Sequence, residues 1–404
     1  VLPLVEVFKH LALGLAGKGS ALWGSFLLTR RRNDLHINPE GVEHFRRQLI
    51  SVSRSERNRN GTLSAHEKEL CTRILAETAE FNRNNVTRTS AYWRFYEAHL
   101  ELHWSFLAHM VSRNGGWNMT DLKGQWTPQV MDGPSLESIF KLLEACNALI
   151  FGDAYPQLLL YSESRRTGRP LWHLLPQFGV SRFMQPFWNR FWIDRNPVPL
   201  TVALIINEQN VIQGRVVADP YYRNRVFDTV SFRSQPILQL NQVVVPLRGG
   251  GDSGNRSSRR LAGRVLEDFT NLSERIEFGK SLYAMLFGYP AVLQSAHAFA
   301  LQVPHTGSRA DYWPSRFSKV RRQQKDGSPA TEHAALDKLW FSPPLAEAWP
   351  DRPLSPVSEG DWFDSLDILS HLQRIDMPLV IDMTHEHLFG QYKMQTAVLS
   401  LRNK

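Results

Sequence analysis

The chain has 404 residues, 42% of them hydrophobic and 21% charged, a balance that excludes disorder throughout and accommodates about two to three domains or one large helical body. A chain of this size buries about three quarters of its unfolded surface, so it needs neither a disulfide nor a structural metal to fold. The net charge of +8 admits an acidic partner such as nucleic acid or a membrane surface. Arginine, however, outnumbers lysine by about three to one, a bias that a GC-rich genome produces without phosphate contacts.

The apolar start, Val1 to Leu28, is broken by Glu6, Lys9 and Lys18 and followed by Arg30, Arg31 and Arg32. It therefore lacks the build of a signal peptide. Its longest uncharged run, Gly19 to Thr29, falls short of the roughly 20 apolar residues that span a bilayer. A soluble, cytoplasmic protein is expected. Two further basic clusters, Arg46 to Arg59 and Arg248 to Arg264, lack the interleaved aromatics that base stacking uses, which favours a solvated surface over a nucleic-acid site.

Asn38-Pro39 is a helix start, with asparagine as cap and proline at the first helical position. Ser64 with Glu67 three residues on makes a capping box for a helix to about Glu80. Apolar periodicity predicts further helices over Ser90 to Arg113, Pro134 to Phe151, Ala154 to Arg165, Arg182 to Ile193, Pro199 to Gln213, Glu267 to Phe287 and Pro290 to Gln302. Gln242 to Pro246 carries the best strand signal. The expected fold class is all-α: an N-terminal basic extension over residues 1–60, a main helical domain over 61–318 with a mobile loop at 248–260, and a proline- and aromatic-rich arm over 319–404 that packs on it. Trp340, Phe341, Trp349, Trp362 and Phe363 would anchor the arm.

On a continuous helix from Ser90 to Arg113, at 100 degrees per residue, His99, His103 and Arg113 share the apolar face with Tyr92, Phe95, Phe106 and Met110. Two imidazoles four residues apart can reach one metal or one substrate. Each can equally be a core histidine satisfied by a carbonyl or carboxylate. Similar placements recur: Asn147, with Glu144 beside it, Glu208 after the run LTVALII, Arg275 and His297 each sit on or beside an apolar stripe. Several helices contributing one polar group each imply a polar-lined interior cavity, or else a self-paired buried network.

The catalytic candidates are His99 or His103 as general base or metal ligand, Glu208 as acid or carboxylate ligand, and Arg113 as anion clamp. Asn147, Arg275 and Asp121 are ligand-binding candidates. A divalent metal is the candidate cofactor, with His99, His103 and Asp121 as its candidate ligands, although Asp121 better suits a capping role after Thr120. Asp153 reads as a helix cap, and Gly115-Gly116 as the left-handed end of the central helix. Cys146, inside an apolar pattern, reads as a core residue rather than a nucleophile, and neither it nor Cys71 has metal-ligand spacing. GLAGKGS lacks the P-loop glycine spacing, and His385-Glu386-His387 lacks that of a metalloprotease.

The run NNVTRTSAYWRFYEAHLELHWSFLAHMVSRNGGWNMTDLKG, with LIFGDAYPQLLLYSES, ALIINEQ and GSRADYWP, resembles the YppC-like family (domain of unknown function 2515), uncharacterised proteins of Bacillus-type bacteria. The resemblance implies a mainly helical bacterial cytoplasmic protein and transfers no catalytic residue. Three functions stay open: an enzyme acting on a small or phosphorylated ligand in the interior pocket, an accessory protein of nucleic acid or a membrane surface acting through its arginines, and a scaffold without chemistry.

Overall fold

The computed structural model describes residues 17–55, 63–229, 239–248, 260–321, 339–353 and 360–402. It is mainly helical. The helices are α1 (17–28), α2 (Pro39–Ser55), α3 (Ala65–Phe81), α4 (Asn85–Ala98), α5 (His103–Asp121), α6 (Gly133–Thr167), α7 (Met184–Asp194), α8 (Pro197–Ile212), α9 (Leu272–Gly288), α10 (Pro290–Gln302) and α11 (Thr384–Arg402). An antiparallel pair, β1 (Gln242–Leu247) and β2 (Arg260–Val265), completes the scaffold around the interior. Most of the loop expected to be mobile at 248–260, including Arg256 and Arg259, lies outside the described residues.

Local chemistry accounts for the helix starts. Ser64 Oγ accepts from the Glu67 amide while Glu67 Oε2 accepts from the Ser64 amide at 2.9 Å, closing the capping box. Asn38 caps α2, Asn196 caps α8 and Asn271 caps α9, each by accepting a backbone N–H of the first turn.

The continuous helix expected over Ser90 to Arg113 is instead two helices. The chain turns at His99 to Leu102, where the Leu102 amide donates to His99 O at 3.0 Å. No glycine or proline marks the turn. It is held from outside: Glu101 Oε1 accepts from Tyr161 of α6 at 2.6 Å, and Leu102 is buried. The helices then run back along each other, as pairs from opposite ends show: Asn85 with Ser112, Thr89 with His109, and Tyr96 with Phe106.

The expected boundary near Gly152 is absent too, because α6 runs unbroken for 35 residues through Pro156. Proline removes one backbone donor. Side chains reinforce the helix on either side of it: Asn82 Nδ2 donates to Ala148 O and Gln157 Nε2 to Asp153 O, both at 3.1 Å. Asp153 is therefore mid-helix rather than a cap; the cap of α6 is Asp132. Nor does Gly115-Gly116 end a helix, since α5 continues to Asp121.

The largest apolar cluster runs from Leu28 through α4 to α10 and on to Ile381. A second gathers α6, residues 212–227 and Trp349. Trp349 stacks on Phe140 with ring centroids 4.1 Å apart, Trp340 meets Trp126 edge-on, and Trp362 and Phe363 lie against Phe183. The segment 381–383 adds a third rung beside β2: Gly263 N donates to Ile381 O and Met383 N to Leu261 O, both at 2.8 Å. A side chain at 263 would collide with Val243 O and Met383 Sδ, so only glycine lets the three segments close up.

Candidate functional site

Between α5, α6, α8, α9 and β1 lies a cavity of about 220 Å³. Its walls are mostly aliphatic and aromatic, with Leu107, Val111, Ile139, Leu142, Leu143, Ile150, Ile212, Val243, Phe269, Phe278 and Leu282 among them. The polar side chains on the wall include Asn147 from α6, Glu208 and Gln209 from α8, Arg275 from α9 and Asn241 before β1. Two glycines on its wall let the helices approach closely: a Cβ on Gly115 would stand 3.0 Å from the Asn147 amide, and one on Gly279 2.7 Å from Ile205.

Glu208 sits near the C-terminal end of α8. Its Oε2 accepts from Trp104 Nε1 and its Oε1 from Gln209 Nε2, both at 3.2 Å. Burial pushes its pKa up to about 8, which these two hydrogen bonds only partly offset. At neutral pH the carboxyl is therefore mostly protonated and can donate. Asp153 on α6 adds to the rise in Glu208 and is itself pushed by burial up to about 7, despite hydrogen bonds from Asn207 and Gln157. Tyr92, beside Glu208 on the cavity wall, has a buried hydroxyl without a hydrogen-bond partner among the described residues.

Arg275 is a buried guanidinium held by neutral acceptors alone. It donates to Gln209 Oε1 at 3.0 Å, Gln209 O at 3.2 Å, Gln213 Oε1 at 2.8 Å and Phe269 O at 2.5 Å. Among the described residues no carboxylate comes within ion-pair distance of it. Burial lowers its pKa to about 10, so it stays charged at neutral pH. Cys146 also lines the wall, and burial pushes its thiol up to about 12, far from a reactive thiolate.

The cavity thus collects Glu208, Asn147 and Arg275 of the residues expected from sequence. The others lie elsewhere, because the break after α4 rotates His99 away from the face of α5. His99 packs on Phe95 and Tyr161, its Nδ1 3.8 Å from Glu101. His103 stacks on Phe287 at 4.0 Å and bonds Tyr283 Oη at 3.0 Å; burial holds its pKa down to about 4. Asp121 pairs with Arg309 Nε at 2.6 Å, within a buried corner that includes Tyr312 and His387. His297 packs on Trp93 and Phe106. His99, His103 and Asp121 therefore do not form a metal site, and among the described residues no group of three or more His, Cys, Asp or Glu could hold an ion.

Arg113 stands behind the cavity wall in a chain of side chains. Its Nε donates to His109 Nε2 at 2.9 Å, so that nitrogen is the acceptor and Nδ1 carries the proton donated to Thr89 O at 2.9 Å. The imidazole is neutral, its pKa driven well down by burial and by the Arg113 charge. Thr89 Oγ1 bonds Ser112 Oγ at 2.6 Å, and Asn85 Nδ2 reaches both Ser112 Oγ at 3.1 Å and Asn147 Oδ1 at 3.3 Å, which ties this chain to the cavity; His305 Nε2 bonds Asn85 Oδ1 at 2.8 Å.

Sequence reasoning missed His109, His305, Trp104 and Asn241. It also missed the role of Glu144, which forms a buried ion pair with Arg88 at 2.5 Å joining α4 to α6. His109 lies one helical turn before Arg113, a spacing visible in the sequence. The asparagine and tryptophan carried no such signal.

The fold and site define a helical protein with a mainly apolar cavity lined by one protonatable carboxyl and by one buried guanidinium that makes no ion pair among the described residues. The chain belongs to the family described as protein of unknown function (DUF2515), whose model matches residues 80–389. It is similar to the uncharacterized protein YppC of Bacillus subtilis (strain 168), at 44% identity over 244 residues, covering 60% of this chain and 73% of that protein. No solved structure matches the chain. Among the described residues no helix is long and apolar enough to cross a membrane.

Proposed function

We propose that the cavity is a binding site for a small, largely apolar molecule bearing an acidic group. The observation that carries this reading is the presence, on one apolar wall, of a guanidinium whose hydrogen bonds go to neutral acceptors, with no ion pair among the described residues, and of a carboxyl raised to about 8. A buried cation with only neutral acceptors attracts an anion. A neutral Glu208 can donate to the ligand without repelling it.

Size narrows the class. Benzene fills a cavity of about 150 Å³, and drug-sized ligands need about 300 Å³ or more. At about 220 Å³ the site suits a short branched or aromatic carboxylic acid. A phosphorylated ligand suits it poorly, since Arg275 is the lone Arg or Lys among the lining residues. Any chemistry on the ligand would draw its proton from Glu208, whose pKa lies near the range of a neutral-pH general acid, rather than from the histidines.

Titration calorimetry with aromatic and branched-chain carboxylates, each against its primary amide, tests the assignment. The acids should bind the wild-type protein, with the amides at least about tenfold weaker, and Arg275→Leu should abolish the difference. Equal binding of acid and amide, or binding of none of these probes to folded protein, would refute it.

A further inference from the structure

Helix α1 presents an apolar face left exposed among the described residues, which the cavity does not explain. Its inner side is fixed to the body: Ser25 Oγ accepts the amides of Ile381 and Asp382 at 3.0 and 2.9 Å, and Leu28 is buried. Its outer side carries Leu22, Trp23 and Phe26, each more than half exposed, with the two rings stacked 5.7 Å apart. The segment leading into Ile381 adds Leu379 and Val380, also more than half exposed. Two adjoining stretches of chain thus leave five large apolar side chains in water, where single ones are the rule.

Charge borders this face asymmetrically. Lys18, Arg30, Arg31 and Arg32 are exposed, and the Arg30 guanidinium lies 5.5 Å over the Phe26 ring. The exposed acids on the same elements are Asp34, Glu386 and Asp376, the last already paired with Arg374 at 2.6 Å.

We infer that this face docks on an anionic phospholipid surface, with Leu22, Trp23 and Phe26 in the interfacial layer and Arg30, Arg31 and Arg32 on lipid phosphates. Aromatic and aliphatic side chains on one helix face, bordered by arginines, are the elements of an interfacial helix. The arginine border disfavours a second copy of the chain, which would bring like charges together. The aliphatic Leu22, Leu379 and Val380 have no counterpart in a nucleic-acid groove. The helix precedes the family-matched segment, residues 80–389, whereas Leu379 and Val380 lie within it, and none of the five side chains lines the cavity.

Cosedimentation of the full chain with vesicles of phosphatidylcholine, alone or mixed with phosphatidylglycerol, tests the inference. Binding should require phosphatidylglycerol and weaken as salt rises. Replacing Arg30, Arg31 and Arg32 by glutamine should weaken it by roughly fivefold per arginine. The double variant Trp23→Ser, Phe26→Ser should lose most of the remaining binding while keeping the circular dichroism of the parent. Absence of the parent protein from the phosphatidylglycerol pellet, or retention unchanged by the double variant, would overturn the inference. So would vesicle-independent dimerisation in the ultracentrifuge that the double variant abolishes, which would assign the face to a second copy.

Discussion

Glu208 illustrates how placement outweighs residue type. A carboxyl at about 8 in the fold and near its ordinary 4.5 when unfolded holds its proton more tightly in the folded state. Its contribution to stability is complete below pH about 4.5, declines as pH rises, and is lost above about 8. Asp153, held at about 7 against an ordinary 3.8, acts in the same direction. The buried neutral imidazoles of His103 and His109 act in the opposite direction below about pH 6.5, so the difference between variants isolates the carboxyl. In chemical unfolding across pH 5 to 8 the wild type should lose stability relative to Glu208→Gln, because the amide keeps the shape and has no proton to lose. A slope unchanged by the substitution would show that the carboxyl is ionised throughout. The Arg88–Glu144 pair offers a second residue-scale test. Arg88→Met alone should cost about 3–5 kcal/mol, whereas the double change with Glu144→Met should recover much of it, since removing one partner strands a buried charge and removing both does not. Denaturation midpoints of the single and double variants measure this.

At the scale of elements, the cavity depends on how α5 meets its neighbours. Asn114 joins α5 to β1 with two hydrogen bonds: its Nδ2 donates to Val244 O and its Oδ1 accepts from Val244 N, both at 2.8 Å. Asn114→Ala strands both backbone groups and should cost about 2–3 kcal/mol, with faster hydrogen exchange at the Val244 amide. Gly116 makes a sharper case. Glycine to alanine inside a helix ordinarily stabilises by about 0.5–1 kcal/mol. Here a methyl would overlap Asn85 Oδ1 and His305 Nε2, so Gly116→Ala should lower the melting temperature instead, and a rise would mean that the Asn85–His305 bond at 2.8 Å is dispensable.

Across the whole molecule, distant stretches of chain close the structure. Trp349 donates to Met119 O at 2.8 Å, stacks on Phe140 and lies under Lys123, bracing the outer side of α5 and α6. Trp349→Ala should cost about 3–5 kcal/mol and speed proteolysis within residues 339–353. Residues 381–383 sit between β2 and α1, so one short segment holds both the strand pair beside the cavity and the exposed helix. The two proposals concern separate faces and should fail independently: changes at Trp23 and Phe26 should leave carboxylate binding intact, and Arg275→Leu should leave vesicle binding intact.

Helix identity and most helix starts followed from the sequence, because caps such as Asn38, Ser64 with Glu67 and the prolines at first positions act within one turn of the residue concerned. The same local logic brought Asn147, Glu208 and Arg275 onto apolar faces, and these now share a cavity. The turn at His99 to Leu102, the unbroken passage of α6 through Pro156 and the antiparallel packing of α4 on α5 were settled by tertiary contacts: Tyr161 on Glu101, Asn82 on Ala148, Asn85 on Ser112. A helical pattern counts phase along one axis, so a turn of four residues without glycine or proline resets that phase unseen. That lost phase separated His99 from His103, and only the folded arrangement decided which polar side chains meet and which are sealed among rings.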